Sequence, residues 1–198
     1  MSAMTNSFPG TPASWELPSR AKVGMAGLII AESAIFTIFV VAYLFYLGKS
    51  IAGPTPREVL ETPIFYTACL LSSSLTIHFA AKSLAKGIAF AFLGLWLLTI
   101  ALGGLFLYGT AQEWHRLIYE HGLTISTNLF GTTYYSLVGL HAFHVTAGLV
   151  MLGVVAVFGL AGRIGMKQAG HIEVLSMYWH FVDVVWVVVF TVVYVLGR

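Results

Sequence analysis

The chain has 198 residues, of which 58% are hydrophobic and 9% are charged, and its formal net charge is +2. An average globular protein carries about 25% charged residues, so this composition excludes a soluble domain with a water-facing surface. No basic run with interleaved aromatic residues occurs, and the sequence therefore predicts no nucleic-acid partner. The single cysteine, Cys69, excludes an intrachain disulfide, and we interpret it as a small core residue.

The chain order of polar and apolar segments predicts the architecture. Residues 1–21 are polar, contain several Pro and Ser residues and lack the apolar core of a signal peptide, so we expect a flexible arm there. A helix rises about 1.5 Å per residue, and about 20 apolar residues therefore cross a hydrocarbon core of about 30 Å. Five stretches meet this requirement. The sequence thus predicts an all-α integral membrane protein with one domain at 22–198, a bundle of five transmembrane helices covering about 23–47, 62–81, 87–111, 135–161 and 174–196.

The positions of Lys and Arg predict the orientation, because cytoplasmic flanks of membrane helices are enriched in these residues. If the N-terminus is cytoplasmic, the inner side carries Arg20, Lys22, Lys82, Lys86, Arg163 and Lys167. The outer side then carries Lys49, Arg57, Arg116 and Arg198. This bias predicts a cytoplasmic N-terminus and an outer C-terminus. The longest predicted loop, 112–133, contains Trp114 and Tyr119, which suit a membrane interface.

Six ionisable side chains fall inside the predicted helices, where such groups are costly and usually face protein or serve a function. Counted from the predicted helix ends, Glu32 and Asp183 lie about 14 Å from the cytoplasmic side. His78 lies about 5 Å from that side, and His144 lies about 14 Å from the outer side. His180 is one turn from Asp183 on the same helix face. The six residues are Glu32, His78, His141, His144, His180 and Asp183.

Histidines on several helices raise the possibility of a bis-histidine haem or a histidine–carboxylate metal site. The predicted depths place His78 and His144 in different layers, which argues against one shared ion, whereas His78 with His180 stays open as a pair. No Glu-x-x-His motif occurs on two facing helices, as a di-iron bundle requires. The sequence therefore favours neither a metal site nor a catalytic residue in this chain.

Two interpretations of these polar residues remain. In the first, His180 and Asp183 join a hydrogen-bonded network inside the bundle, with Tyr178 as a further member. In the second, the polar residues form a proton-antenna or lipid-headgroup site in the inner half of the membrane. The first is the more common role, and the hydroxyls of Ser72–Thr76 likewise suit packing better than substrate lining. The candidates are Glu32, His78, His141, His144, Trp179, His180 and Asp183.

The last predicted helix carries nine consecutive residues, YWHFVDVVW from Tyr178 to Trp186, that resemble the last-helix motif of subunit III of the haem-copper oxidases. That family includes cytochrome c oxidases and bacterial quinol oxidases. Glu113-Trp114 resembles the family's Glu-aromatic pair, and Glu32 matches its membrane acidic residue. The resemblance covers about 20–198. It also includes the serine-rich stretch Ser72–Thr76 and the pattern Tyr134-Tyr135, Gly139, His141, His144 and Val145.

Some positions depart from the family pattern and leave the subfamily open. Ala26 and Leu28 replace aromatic residues, Thr110 replaces a glutamine, and Ala142 replaces a glycine. Mitochondrial members have seven helices, and the five predicted here correspond to the last five, so the two without a counterpart are the first two. In the family those two form one wall of a lipid-filled cleft, so here we expect that wall to be absent or supplied by another chain.

The resemblance implies a non-redox accessory subunit in a bacterial plasma membrane. The family's catalytic subunit I holds the haems and copper, subunit II completes the complex, and subunit III supports subunit I and binds phospholipids. The complex reduces oxygen and translocates protons in aerobic respiration. Membership of a respiratory supercomplex and the electron donor, cytochrome c or quinol, stay open.

Three functions other than an oxidase subunit III are alternatives for this sequence. Relatives resembling subunit III also accompany nitric oxide reductases, and the sequence does not separate these partners. A stand-alone transporter is less favoured, because transporters are commonly built from interrupted helices or inverted repeats, and neither occurs here. A stand-alone cytochrome b is also less favoured, because the histidines are not layered for two haems.

Overall fold

The computed structural model describes residues 19–50 and 52–197. Within these residues, five helices are long and apolar enough to cross a membrane, which confirms the predicted fold class and indicates a multi-pass membrane protein. Most of the predicted N-terminal arm, residues 1–18, lies outside the described residues, as does Arg198. The elements are α1 (Arg20–Tyr46), the short α2 (Pro56–Val59), α3 (Ile64–Ala85), α4 (Ala89–Tyr119), α5 (Leu129–Leu160) and α6 (Ala169–Phe190). A 3-10 turn (Met166–Gln168) precedes α6, and a π-helical turn (Thr191–Leu196) continues it.

The helices facing the predicted outer side extend beyond their apolar stretches. α4 continues past the predicted end at residue 111 to Tyr119, because the polar residues that follow include good helix formers such as Gln, Glu and Arg. α5 begins at Leu129 instead of near residue 135, because the Asn128 side chain caps it by accepting the backbone N–H of Gly131 at 2.8 Å. The predicted loop 112–133 therefore shrinks to residues 120–128. Trp114 packs its ring against Tyr135, with the centroids 5.4 Å apart.

The helix ends on the opposite side are also longer than predicted. α3 passes Lys82 and ends at Ala85, and Gly87 follows with a φ of 77°, a left-handed conformation that favours glycine. α6 begins at Ala169 instead of near residue 174, after the 3-10 turn. α1 starts at Arg20 because the Ser19 hydroxyl accepts the backbone N–H of Lys22 at 3.3 Å.

α6 is the central helix of the bundle and packs against α1, α3 and α5. Its buried Trp179 lies over Gly103 of α4 and Gly148 of α5. A Cβ atom at Gly103 would lie 2.9 Å from the indole ring, and one at Gly148 would lie 2.8 Å from it. The indole N–H donates to the Ser73 hydroxyl of α3 at 2.8 Å. One tryptophan therefore joins α6 to three other helices.

The connections at the two ends are fixed by polar contacts. Lys22 and Glu173 form an ion pair of 2.9 Å that joins the starts of α1 and α6. At the other end, Arg116 of α4 pairs with Glu61. A chain that crosses the membrane in alternating directions has these helix ends on the same side, and the two ion pairs agree with that path.

The segment between α1 and α3 is held by side chains as well. The Asn128 amide donates to the backbone carbonyls of Ala52 and Pro54 at 3.1 Å each, so the cap of α5 also anchors this segment. The backbone N–H of Thr55 donates to the Glu58 carboxylate at 2.9 Å, and this bond lowers the pKa of Glu58 below its ordinary value.

Candidate functional site in the middle of the bundle

Four polar side chains lie next to the midpoints of four helices: Glu32 on α1, Ser74 on α3, His144 on α5 and Asp183 on α6 with its π-helical continuation. We call these four side chains the mid-bundle layer. Because the helices are longer than predicted, Glu32 lies about 18 Å and Asp183 about 21 Å from the start of its helix, deeper than the predicted 14 Å. A helix midpoint falls in the hydrocarbon region, where unpaired polar groups are costly.

Glu32 and His144 form one half of the layer and join α1 to α5. The Nε2 atom of His144 lies 3.1 Å from Oε2 of Glu32, and its Nδ1 atom lies 2.8 Å from the backbone carbonyl of Leu140. A carbonyl only accepts, so Nδ1 carries a hydrogen, and the bond between Nε2 and Oε2 requires one further proton. That proton lies on either partner, and the pair is neutral as a whole in both cases. Sequence reasoning missed this pair because no local pattern specifies that α1 lies beside α5.

Ser74 and Asp183 form the other half and join α3 to α6, and His180 bonds the same Ser74 hydroxyl. The Ser74 hydroxyl donates to Oδ2 of Asp183 and lies 3.0 Å from Nδ1 of His180. Because a hydroxyl has a single hydrogen, Ser74 accepts from the N–H of His180. The second carboxylate oxygen of Asp183 is buried and has no hydrogen-bond partner among the residues that the structure describes. Sequence reasoning paired His180 with Asp183 by their spacing, and the structure connects them through Ser74.

The remaining histidines of the candidate set differ in environment. His141 is fully buried, and its ring stacks on Trp186 with 4.9 Å between the centroids. Neither of its nitrogens is hydrogen-bonded within residues 19–50 and 52–197. His78 is exposed, and its ring centroid lies 6.4 Å from that of His180. His78 lies on α3 and His144 on α5. Within the described residues, no group of three or more His, Cys, Asp or Glu side chains is arranged to hold a metal ion.

Three aromatic residues of the 178–186 segment donate hydrogen bonds to other helices. Tyr178 donates to the backbone carbonyl of His144 at 3.1 Å. It therefore supports the Glu32–His144 half of the layer, whereas the sequence placed it with His180 and Asp183. Trp179 donates to Ser73, as described above. Trp186 donates to the Thr67 hydroxyl of α3 at 3.1 Å. The segment therefore bonds α6 to α5 and α3 before Asp183, and to α3 again after it.

A second polar group lies at the end of the bundle where α4 finishes. The Glu113 carboxylate accepts the Tyr194 hydroxyl at 2.8 Å, and the Tyr194 and Tyr134 hydroxyls are 3.4 Å apart. The second carboxylate oxygen of Glu113 has no hydrogen-bond partner in the described part of the chain. Glu113 also lines a cavity of about 320 Å³ together with Tyr66 and Arg116. Sequence reasoning singled out Glu113 but missed Tyr194, which the π-helical turn carries.

Comparison with known proteins identifies the family. The family model described as cytochrome c oxidase subunit III matches residues 16–198. The chain is 32% identical over 194 residues to cytochrome c oxidase subunit 3 of Bacillus subtilis (strain 168), covering 96% of this chain and 93% of that relative. It is 38% identical over 191 residues to cytochrome c oxidase subunit 3 of Synechocystis sp., covering 90% and 77%.

A quinol-oxidase relative matches at a similar level. The chain is 35% identical over 175 residues to cytochrome bo(3) ubiquinol oxidase subunit 3 of Pseudomonas aeruginosa, covering 85% of this chain and 81% of that relative. The matched residues include the whole mid-bundle layer and the 178–186 segment that holds α6 in place. With five apolar helices around that segment, the chain belongs to the cytochrome c oxidase subunit III family.

Proposed function

We propose that this chain is the non-redox subunit III of a bacterial haem-copper terminal oxidase, which supports the catalytic subunit during oxygen reduction and proton translocation. The observation that carries the proposal is the use of the 178–186 segment. Tyr178, Trp179 and Trp186 all donate to other helices of the same chain. Side chains engaged in this way hold a bundle together, which is what an accessory subunit requires.

The proposal assigns the chemistry to other chains. Haems and copper belong to subunit I, subunit II completes the complex, and phospholipids cover the exposed apolar helix faces. The membrane is the bacterial plasma membrane, with the N-terminus in the cytoplasm and the C-terminus outside. A respiratory supercomplex is a further setting in which the same contacts apply.

Purification from the native membrane through a tag on this chain tests the proposal. We expect a large haem-bearing chain to remain bound and the complex to consume oxygen. We expect the isolated chain to show no Soret absorbance. A chain that purifies alone and is active would overturn the proposal, and a Soret band in the isolated chain would instead identify a cytochrome b.

A second candidate is the equivalent subunit of a quinol oxidase. The identity to the Pseudomonas aeruginosa ubiquinol oxidase subunit, 35%, lies between the values for the two cytochrome c oxidase subunits, 32% and 38%. Oxygen uptake by the purified complex, with reduced cytochrome c or ubiquinol as the donor, separates the two. Nitric oxide consumption without oxygen uptake would assign the chain to a nitric oxide reductase, and mass spectrometry of the catalytic chain provides an independent identification.

A further inference from the structure

His78 is an exposed imidazole deep within α3. With 22 residues, α3 is about 33 Å long, close to the hydrocarbon thickness of about 30 Å. His78 lies about 10 Å before the helix end at Ala85 and about 5 Å from the helix midpoint. Lys82, one turn nearer the end, has a long side chain that extends to the headgroups, whereas an imidazole is too short to do so.

His78 has no hydrogen-bond partner within residues 19–50 and 52–197. The nearest polar ring is that of His180, with the centroids 6.4 Å apart. The Nδ1 atom of His180 is already bonded to Ser74. The other ring contact of His78 is with the neighbouring Phe79 at 5.7 Å, which supplies no acceptor. The two nitrogens of His78 therefore require a donor or acceptor from outside the described residues.

The surface around His78 is apolar and exposed. On the same stripe of α3, one and two turns away, lie Leu75 and Leu71, with 62% and 38% of their surface exposed. On α6, one and two turns beyond His180, lie Val184 and Val187, with 64% and 46% exposed. We call Leu71, Leu75, His78, Val184 and Val187 the His78 face. It combines an apolar surface with a single unsatisfied polar group at hydrocarbon depth.

We propose that the His78 face is the surface on which a transmembrane helix of the catalytic subunit docks, presenting a hydrogen-bonding side chain to His78. The identity of the partner rests on the proposed function. Acyl chains have no group that bonds an imidazole, so lipid alone leaves His78 unsatisfied. Membrane helices associate through close packing and through polar side chains that bond across the interface. A mainly apolar helix with one hydroxyl, amide or carboxyl group at this depth meets both needs of the face.

Photocross-linking in the intact complex tests the docking surface. A benzoylphenylalanine photoprobe replaces His78 in one variant and Phe143 in the control. Phe143 lies near the midpoint of α5, is 67% exposed and therefore samples the hydrocarbon region on another helix. We expect a covalent product with the haem-bearing subunit from position 78 and little from position 143. Lipid adducts alone, a product with a second copy of this chain, or equal yields at both positions would overturn the proposal.

The same experiment separates the docking surface from the function assigned to its partner. A product from position 78 with a membrane protein that carries no haem would support the docking surface and contradict the oxidase assignment. A haem-bearing subunit that copurifies but links only to position 143 would support the oxidase assignment and contradict the docking surface.

Substitution of His78 tests the hydrogen bond itself. We expect His78→Leu to fold, because no bond within the described chain is lost, and to reduce the amount of this chain retained on the catalytic subunit after a detergent wash by about threefold to tenfold. His78→Gln, which keeps a donor and an acceptor, should restore retention. The control is Thr146→Leu on α5, where the hydroxyl bonds only the Ala142 carbonyl, at 2.8 Å. Unchanged retention in His78→Leu would contradict the proposed bond.

Discussion

Glu32 and His144 are ionisable groups inside the membrane, but together they form a pair with no net charge. The imidazole is held by the Leu140 carbonyl on one side and by the Glu32 carboxyl on the other, so its orientation is fixed. The Glu32 side chain keeps 22% of its surface exposed, so the pair lies at the boundary of the bundle. The Glu32 carboxyl can therefore be reached from outside the bundle without crossing the packed core.

Replacing Glu32 with Gln should leave oxygen reduction largely intact. The amide of Glu32→Gln donates to Nε2 of His144 without a titratable proton, so the contact between α1 and α5 survives. We expect assembly and oxygen uptake close to the unmodified complex, with a modest change in turnover-linked proton uptake, measured in reconstituted vesicles. Glu120→Gln, in the loop after α4, is the control for loss of a carboxylate. Complete loss of oxygen reduction in an assembled Glu32→Gln complex would contradict an accessory role.

Because Trp179 packs against only one of two adjacent glycines of α4, the two positions differ in the space available for a side chain. A Cβ atom at Gly103 would lie 2.9 Å from the indole and 3.0 Å from Leu149, whereas one at Gly104 meets nothing within 4 Å. We expect Gly103→Ala to lower the free energy of unfolding by about 1–3 kcal/mol through overpacking. Gly104→Ala should be neutral or slightly stabilising, because alanine favours helices. Thermal unfolding of both variants in detergent provides the measurement, and equal midpoints would show that Trp179 does not fix this contact.

Part of the site followed from the sequence, and the rest required the arrangement of the helices. The spacing of His180 and Asp183 placed both on one face of α6, and the structure joins them. Tyr178 was expected in the same group but bonds the His144 carbonyl, because positions two and five residues away along a helix point elsewhere. The partners Glu32 and His144 are 112 residues apart in the chain, and no local pattern specifies that α1 lies beside α5.

At the level of elements, apolar composition located all five long helices but not their ends. Hydropathy falls where a helix leaves the lipid, whereas backbone hydrogen bonding continues through polar helix formers, as in α4 up to Tyr119. The start of α5 had a local signal in Asn128, a residue preferred at helix N-termini. The predicted depths already placed Glu32, Asp183 and His144 near the middle of a hydrocarbon core of about 30 Å. The mid-bundle layer was not recognised because the sequence does not specify which helices are neighbours.

Removal of the Asn128 side chain should destabilise the end of the bundle where α5 begins. The residue caps α5 through Gly131 and also holds the carbonyls of Ala52 and Pro54. We expect Asn128→Ala to lower the free energy of unfolding by about 1–2 kcal/mol. Ser19→Ala removes a longer, exposed cap bond of 3.3 Å on α1 and should cost less. Detergent unfolding curves compare the two, and an equal or larger loss in Ser19→Ala would contradict the anchoring role of Asn128.

The whole molecule presents apolar side chains around its perimeter and polar contacts at its two ends. α1 buries only Phe36 and Tyr43, so most of its surface faces lipid or another chain. The ion pair between Lys22 and Glu173 places the starts of α1 and α6 on one side of the membrane. The larger number of basic residues near that side predicts that it is the cytoplasmic one.

Cysteine labelling in intact cells tests this orientation. In a Cys69→Ser background, Ser126→Cys lies in the loop between α4 and α5, and Lys167→Cys lies in the turn before α6; both positions are exposed. We expect a membrane-impermeant maleimide to label Ser126→Cys in intact cells and Lys167→Cys only after permeabilisation. The opposite pattern would place the N-terminus outside.

The central position of α6 has a consequence for the order in which the protein is made. α6 comes after the other four long helices in the chain, yet α1, α3 and α5 all pack against it. During translation those four helices enter the bilayer first, and Ser74 and Gly103 meet lipid or other helices until Asp183 and Trp179 are synthesised. Insertion and folding are therefore separated in time, as expected when membrane helices first insert and later associate.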